Sequence, residues 1–310
     1  MTTFTMNNGA KIPAIGLGTW LDEDAQENAV YHALKLGYRH IDTATIYGVE
    51  EGVGRGIKRS GVPREEIFVT SKLWCNAHHP NDVRKACEDS LKKLDCGYLD
   101  LYLMHYPFAN RPGPEMHPKD KNGNPDVVDI DYVDTWKAME KLVNDGLVKA
   151  IGISNFSRAE TERLLKNVSI KPAAHELELH PWLQQKDFVN WHKSLGITCI
   201  GYSSLGNQNP LYSEGGQIGK LIEDPVIGEV AKKHGKTPAQ VALAWGINAG
   251  QVVLVKSKNP DRIKQNFESD FKLDKEDMDK LASIDHKRRF NDGSKDFGYE
   301  LFSDLEGKQK

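Results

Sequence analysis

The sequence predicts an α/β fold, a (β/α)8 barrel in which parallel strands alternate with helices around one closed sheet. Short apolar runs typical of buried strands alternate with segments of helical period along most of the 310 residues. Several of these runs end in polar side chains: residues 99–104 lead to His105, and residues 252–255 lead to Lys256. Because a parallel barrel gathers the carboxyl ends of its strands on one face, these polar groups are predicted to converge there.

A β-hairpin is predicted before the first barrel strand. Residues 4–6 and 11–13 flank an Asn8-Gly9 pair, which is a strong signal for a tight turn. The first barrel strand follows at residues 15–20, so the hairpin is expected to close the amino-terminal mouth of the barrel.

Helices are predicted between the strands from their apolar period and their terminal residues. Asn81 is expected to cap the third barrel helix, and Ser157 with Glu160 to form a capping box that opens the fifth. The predicted barrel helices cover residues 24–36, 52–59, 81–94, 132–145, a segment opening at 157, 187–195, 226–234 and 274–284, and two additional helices cover 237–248 and 260–267.

Two long connections and the carboxyl-terminal tail are predicted to lie over the catalytic face. Residues 108–131 and 206–223 are rich in turn-forming residues and follow strand ends, and the tail from Arg288 has no strong period. No interdomain linker interrupts the alternation of strands and helices, so residues 1–310 are interpreted as a single barrel domain.

Composition and charge narrow the class of protein. A hydrophobic content of 39% supports a large core, and a net charge of -3 without a long basic run argues against a nucleic-acid partner. No apolar run approaches the ~18 residues of a membrane span. The four cysteines lack metal-ligand spacing, and the adjacent His78 and His79 make a poor chelate. We therefore expect a cytoplasmic protein without a membrane or metal partner, present as a monomer or weak dimer.

Four polar residues near successive strand ends form a coherent set for reducing a carbonyl group: Asp42, Tyr47, Lys72 and His105. A hydride added to a carbonyl leaves an alkoxide that needs a proton, which the hydroxyl of Tyr47 can supply. Lys72 is expected to lower the tyrosine pKa from its ordinary value of ~10, and Asp42 to hold Lys72. Neutral His105 can donate a hydrogen bond to the substrate oxygen. Taken singly, each residue has a structural alternative as a helix cap, a packed ring or a solvated side chain.

The segments around these residues resemble those of the aldo-keto reductase superfamily, and within it the aldose and xylose reductase-like members. They are GLGTW at 16–20, GYRHIDTA at 37–44, SKLW at 71–74, DLYLMH at 100–105 and GISNF at 152–156, followed by Lys256-Ser257, Pro260, Arg262-Ile263 and Asn266. The resemblance covers residues 4 to about 292 and implies an NADPH-dependent carbonyl reductase on a (β/α)8 barrel. It also implies that Asp42, Tyr47, Lys72 and His105 form the catalytic tetrad, with Tyr47 as the proton donor.

The resemblance also implies a site for NADPH or NADP⁺, with NADH as a possible secondary cofactor. Ser154 and Asn155 would hold the carboxamide, and the ring of Tyr202 would stack on the nicotinamide. The adenosine 2′-phosphate would be bound by two cations and a hydroxyl beside a helix amino terminus, which suit a dianion: Lys256, Ser257 and Arg262. The remaining residues of this predicted site are Thr19, Trp20, Glu176, Ser203, Leu205, Gln265 and Asn266.

Three positions depart from the family pattern. Glu176 replaces the usual glutamine beside the carboxamide, which places an ionisable group near the nicotinamide ring. Gln265 replaces an acidic residue common near the adenosine, and Tyr106 replaces a common tryptophan in the substrate pocket. The resemblance lines that pocket with Trp20, Trp74 and Tyr106. The substrate stays open between an aldose, a uronic acid and a simpler aldehyde.

Two other functions stay open as alternatives: a redox-sensing nicotinamide-binding subunit on the same barrel, and a metal-dependent barrel lyase or hydrolase. The complete tetrad argues against the first, and the missing metal-ligand spacing argues against the second. No GxGxxG follows a strand and Ser203-Ser204 lacks a G-x-S-x-G elbow, so neither a Rossmann enzyme nor a hydrolase triad is indicated.

Overall fold

A computed structural model describes residues 1–206, 208 and 219–308 of the chain. Eight parallel strands close into a barrel, which confirms the predicted fold class. The strands follow one another around the barrel in chain order, so each helix crosses to the next neighbour. They are β3 (Ile15–Gly18), β4 (His40–Asp42), β5 (Phe68–Leu73), β6 (Leu101–Met104), β9 (Ile151–Ser154), β10 (Ala174–Glu178), β11 (Thr198–Tyr202) and β12 (Val252–Val255).

The predicted hairpin closes the amino-terminal mouth of the barrel. It consists of β1 (Thr3–Thr5) and β2 (Lys11–Pro13), which pair antiparallel with Phe4 opposite Ile12. Met6 and Ile12 are buried in a cluster with residues from the starts of the barrel strands, including Leu101 and Val252. This end of the barrel is filled with apolar side chains, so the predicted polar site belongs at the opposite, carboxyl-terminal face.

Helices surround the barrel and agree with the predicted segments to within about two residues at most ends. They are α1 (Gln26–Leu36), α2 (Glu50–Ser60), α3 (Pro80–Leu94), α4 (Tyr132–Asn144), α5 (Arg158–Leu165), α6 (Lys186–Ser194), α7 (Pro225–His234), α8 (Pro238–Asn248), α9 (Pro260–Phe267), α10 (Lys275–Ala282) and α11 (Ser294–Phe297). None of the helices in the described residues has the length and apolar character that crossing a membrane requires.

Of two predicted helix caps, one is confirmed and one is wrong. Ser157 and Glu160 form the predicted capping box of α5. The prediction that Asn81 caps α3 is wrong, because Pro80 already occupies the first turn and the cap is His79, two residues before Asn81. The ring of His79 accepts the hydrogen bond from the backbone N–H of Asn81 at 3.3 Å.

Two segments cover the carboxyl-terminal face of the barrel, as predicted for the first long connection and for the tail. The first connection forms a short ribbon of β7 (Ala109–Asn110) and β8 (Val127–Val128). The tail buries Leu301 and Phe302 in a cluster with Trp74, and α11 adds Phe297 to it. Most of the second predicted connection, residues 206–223, lies outside the described residues.

Candidate active site

The four residues predicted to act in catalysis come from three adjacent strands and one loop. Asp42 is the last residue of β4, Lys72 lies near the end of β5, and His105 directly follows β6. Tyr47 lies in a one-turn 3₁₀ helix, Thr45–Tyr47, that follows β4. The hydroxyl of Thr45 donates to the backbone carbonyl of Lys72 at 3.0 Å and fixes this loop against β5. The parallel register thereby gathers the four side chains at one mouth of the barrel.

Lys72 is the centre of the group. Its ammonium lies 2.6 Å from Asp42 Oδ1 and 3.0 Å from the carbonyl of Thr43. Burial alone would lower the pKa of Lys72, but the charges of Asp42 and Glu176 outweigh it and raise that pKa above its ordinary value. Lys72 therefore stays a cation although its side chain has no exposed surface.

The side chain of Tyr47 lies next to Lys72, whose ammonium is 5.3 Å from the centre of the tyrosine ring. Lys72 acts to lower the tyrosine pKa, as expected, but burial is the larger influence and the net pKa of Tyr47 is raised. The expectation of a lowered pKa is thus corrected, because the sequence does not reveal how far the hydroxyl is withdrawn from water. Tyr47 is a neutral acid that can donate its proton.

His105 packs among aromatic rings at the mouth. Its ring lies edge-on to Tyr47 and Trp74, at centroid distances of 5.9 and 5.2 Å, and is stacked on Tyr106 at 5.2 Å. Burial, with a smaller contribution from the Lys72 charge, holds the pKa of His105 well below its ordinary value. The imidazole is therefore neutral and carries one N–H with which to donate a hydrogen bond.

The residues predicted to hold the carboxamide lie beside His105. The side-chain amide of Asn155 donates to the His105 carbonyl and to Ser154 Oγ, both at 3.0 Å, and the Tyr202 hydroxyl donates to Asn155 Oδ1 at 2.7 Å. Asn155 directly follows β9 and adopts a positive φ of 61°. These contacts connect Ser154, Asn155 and Tyr202 to the backbone carbonyl of His105, the residue directly after β6.

Glu176 lies inside the barrel beside Lys72. Its Oε1 is 3.4 Å from the Lys72 ammonium, which also contacts Asp42 Oδ1. Glu176 belongs to β10, which runs from Ala174 to Glu178 and also contains Glu178. The departure from the usual glutamine thus adds a second carboxyl group to the Asp42–Lys72 pair.

The predicted phosphate site surrounds the amino terminus of α9. Lys256 and Ser257 follow β12, and Arg262 lies exposed in the first turn of the helix, which Asn259 caps. Asp22, which the sequence analysis did not identify, hydrogen-bonds to Lys256 and lies 2.7 Å from the ammonium of Lys258. A carboxylate therefore already contacts Lys256, one of the two cations predicted to bind the phosphate.

The other predicted cofactor residues lie around the same mouth. Thr19 Oγ1 donates to the Asp42 carbonyl at 2.9 Å, and the ring of Trp20 is 39% exposed. Ser203 Oγ lies 3.2 Å from the side-chain amide of Asn291 in the tail. Leu205 packs against buried residues of the core, Gln265 is exposed on α9, and Asn266 is buried.

Tail residues also join the site, and no pattern in the sequence indicates them. The carboxylate of Glu178 accepts hydrogen bonds from the backbone N–H groups of Phe290 and Asn291. Phe297 packs against Trp74 and Tyr106, so the tail completes the aromatic wall. The only signal was the lack of helical or strand period after residue 288, which predicted a cover without specifying its contacts.

Among the described residues, no group of three or more histidine, cysteine or acidic side chains is arranged to hold a metal ion. His79 caps α3, and His78 is fully buried, which lowers its pKa to about 3. Neither residue faces a cluster of ligands. The part of the site around Lys72 thus combines this one cation with two carboxyl groups, a neutral tyrosine and a neutral histidine.

Sequence comparisons relate this chain to one protein family. A model of the aldo/keto reductase family matches residues 14–286. An uncharacterized oxidoreductase of Schizosaccharomyces pombe is 52% identical over 291 residues, which cover 93% of this chain and 90% of that protein. Aldo-keto reductase family 1 member A1 of Xenopus tropicalis is 43% identical over 293 residues, covering 92% of this chain and 89% of the relative.

Among solved structures, the aldose reductase from Schistosoma japonicum superposes with a TM-score of 0.90 at 38% sequence identity. The superposition covers 97% of this chain and 98% of that one, so it includes the covering segments as well as the barrel. A family match over most of the sequence and relatives at this level of identity establish that the chain belongs to the aldo/keto reductase family, whose members are oxidoreductases that use nicotinamide cofactors.

Proposed function

We propose that this protein reduces an aldehyde group, of an aldose, a uronic acid or a related carbonyl compound, to the alcohol with NADPH. The observation that carries the proposal is the array of Asp42 hydrogen-bonded to Lys72, with Tyr47 next to Lys72 and beside neutral His105, at the mouth of the barrel. This array offers a proton donor and a hydrogen-bond donor to one carbonyl oxygen, which is what carbonyl reduction requires.

Each residue of the array has a distinct chemical task. His105 orients the carbonyl oxygen by a hydrogen bond, and Tyr47 delivers the proton from its hydroxyl as negative charge develops on that oxygen. Lys72 stabilises the phenolate that remains, because a cation next to the hydroxyl favours its ionised form. Asp42 fixes the ammonium at 2.6 Å and offsets part of the cost of burying it.

The donor set fits a phosphorylated nicotinamide cofactor, which when bound supplies the hydride. Lys256, Ser257 and Arg262 provide two cations and a hydroxyl at a capped helix amino terminus, the chemistry that suits a 2′-phosphate. The amide and hydroxyl groups of Asn155 and Ser154 suit a carboxamide. These features support NADPH as the main cofactor, with NADH as a secondary one.

The mouth of the barrel suits a broad range of aldehydes. Trp20, Trp74 and Tyr106 supply aromatic walls with few charges, and they support an apolar contact with one side of the substrate. We further propose that residues 1–310 form one domain and that the protein acts in the cytoplasm as a monomer or weak dimer.

A panel assay tests the function directly. NADPH absorbance would be followed with glyceraldehyde, xylose, galacturonate, glucuronate and an aromatic aldehyde, and at least one substrate is expected to be reduced steadily. Tyr47→Phe is expected to lower kcat by about 10²-fold or more, because it removes the proton donor but keeps the ring. Tyr31→Phe is the matched control, since that ring contacts Arg59 on the outer helices.

Near-normal turnover in Tyr47→Phe would remove this residue from the role of the acid. If no carbonyl compound of the panel consumed NADPH, the proposed reaction would be wrong.

A further inference from the structure

The charges around Lys72 do not balance. Its ammonium lies 2.6 Å from Asp42 Oδ1 and 3.4 Å from Glu176 Oε1, and none of the three side chains is more than 4% exposed. Two carboxyl groups thus face one cation inside the barrel. If both were ionised, the group would carry an uncompensated negative charge away from water, which is strongly unfavourable.

One oxygen of each carboxyl group also lacks a donor. Asp42 Oδ2 and Glu176 Oε2 are buried and have no hydrogen-bond partner in the described part of the chain. The two carboxyl groups nevertheless lie close together, because both contact the ammonium of Lys72. Two carboxylates only repel at that range, whereas a carboxylic acid can donate to a carboxylate. A single bound proton would remove the excess charge and supply the missing donor.

We propose that Asp42 and Glu176 share one proton at neutral pH, and that Glu176 is a positioning residue that keeps the array of Asp42, Lys72 and Tyr47 without excess charge. Its relevance to catalysis rests on the proposed function, while the shared proton follows from the contacts alone. Burial and the mutual repulsion of the two groups raise the pKa of Glu176 well above its ordinary value, against the opposing influence of Lys72. Burial likewise raises the pKa of Asp42.

The other titratable groups near the pair keep their protonation state in the neutral range. His40 and His105 both face Lys72, and burial with that charge lowers their pKa values, to about 3 for His40. Burial raises the pKa of Tyr47, and the surrounding carboxyl groups raise that of Lys72 despite its burial. These groups therefore titrate well outside the range in which the carboxyl pair is expected to lose its proton.

The neighbouring strands add no competing charge at these positions. Asp42 is paired with Gly18 on β3 and with Thr70 on β5. Glu176 is paired with Ser154 on β9 and with Ile200 on β11. None of these four residues titrates near neutral pH. A titration observed at this site can therefore be assigned to the Asp42–Glu176 pair as a unit.

Infrared difference spectroscopy of the cofactor-free protein tests the shared proton. A protonated carboxyl group gives a C=O stretch that is separate from the carboxylate bands and shifts in D₂O. The band is expected in the wild-type protein at neutral pH and is expected to be lost in Glu176→Gln. Glu178→Gln is the matched control, because it removes a buried carboxyl group from the same strand and should keep the band.

The absence of such a band in the wild-type protein, or its persistence in Glu176→Gln, would overturn the proposal. This readout needs neither cofactor nor substrate. A protein with the band that reduces no carbonyl compound would therefore support the shared proton and overturn only the proposed function.

Cofactor binding supplies a second measurement. Loss of the shared proton at high pH adds a negative charge, which favours the cationic ring of NADP⁺ over the neutral ring of NADPH. The ratio of the Kd for NADPH to the Kd for NADP⁺ should rise about tenfold through this titration, the factor that one pKa unit of interaction represents. Titration of the cofactor phosphates cancels in the ratio.

In Glu176→Gln the ratio is expected to stay constant over the same pH range. A pH-independent ratio in the wild-type protein, or an equal rise in both proteins, would show that Glu176 carries no proton that the site detects.

Discussion

Glu176 and Glu178 lie two residues apart on β10 and both are buried, but they differ in the hydrogen-bond donors around them. Glu178 accepts hydrogen bonds of 2.7 to 2.9 Å from His180, from two backbone N–H groups of the tail, and from the side chain of Asn291. Glu176 has Lys72 at 3.4 Å, and its Oε2 has no donor in the part of the chain that the structure describes.

The comparison teaches that donors, more than burial, decide the charge of these groups. Burial acts to raise the pKa of Glu178, but the hydrogen bond from His180 and the further donors outweigh it and lower that pKa. Burial and the neighbouring charge of Asp42 raise the pKa of Glu176 well above its ordinary value, and the opposing influence of Lys72 does not offset them. Glu178 is thus a fixed anion that holds the tail, whereas Glu176 is free to exchange a proton at the candidate active site.

Removal of Lys72 should produce the largest effect. Lys72→Met is expected to destabilise the protein by about 3–5 kcal/mol, because it leaves Asp42 and Glu176 buried without their cation. Urea denaturation at neutral pH measures the change. The double variant Lys72→Met with Glu176→Gln is the control, and it should recover part of the loss because it leaves one buried carboxyl group instead of two. A loss of less than about 1 kcal/mol in the single variant would mean that the carboxyl groups do not depend on this cation.

Glu178→Gln should have the next largest effect, a destabilisation of about 1.5–3 kcal/mol, the scale of hydrogen bonds to a charged group. The amide nitrogen of glutamine cannot accept from Asn291, so this variant should also loosen the tail, measurable as faster hydrogen exchange at residues 290–291. Glu176→Gln is the comparison on the same strand, and its loss is expected to be smaller because no N–H group of the tail depends on it. Equal losses in the two variants would contradict the distinction between them.

The pH dependence of the two variants should have opposite signs. The pKa of Glu178 is lowered in the folded protein, so its contribution is present above the ordinary value near 4.5 and is lost in acid. The pKa of Glu176 is raised, so its contribution is present in acid and is lost as the pH rises through the folded-state pKa. The cost of Glu178→Gln should therefore shrink at low pH, whereas that of Glu176→Gln should shrink at high pH.

The barrel and the positions of the tetrad could be predicted because they depend on local order. Alternating apolar runs define the strands, and a closed parallel sheet brings Asp42, Lys72 and His105 together whatever the details of the loops. The capping box at Ser157 is likewise a local pattern. Such features need only the identities of residues within one element or its immediate ends.

What the sequence could not reveal depends on distant contacts and on burial. The donors of Glu178 come from residues 290 and 291, more than a hundred positions away. The net pKa of Tyr47 depends on how deeply its hydroxyl is buried, which reverses the expected direction. Asp22 contacts Lys256 from a loop in which Leu21 and Asp22 adopt positive φ angles of 67° and 56°, which no residue type at these positions indicates.

Asp22 extends the comparison to a partly exposed carboxylate and should give the smallest effect. Its side chain is 26% exposed, and hydrogen bonds from Lys256 and Lys258 lower its pKa, so it is an anion at neutral pH. Asp22→Asn frees Lys256 for the predicted 2′-phosphate. The Kd for NADPH should fall about two- to fivefold, the scale of an exposed ion pair, whereas the Kd for NADH should hardly change.

Arg262→Leu is the control with the opposite expected sign: it should raise the Kd for NADPH and leave the Kd for NADH unchanged. Fluorescence titration at low and high salt measures both variants, and the gain in Asp22→Asn should diminish at high salt. Weaker NADPH binding in Asp22→Asn would show instead that this carboxylate holds Lys256 in position for the phosphate.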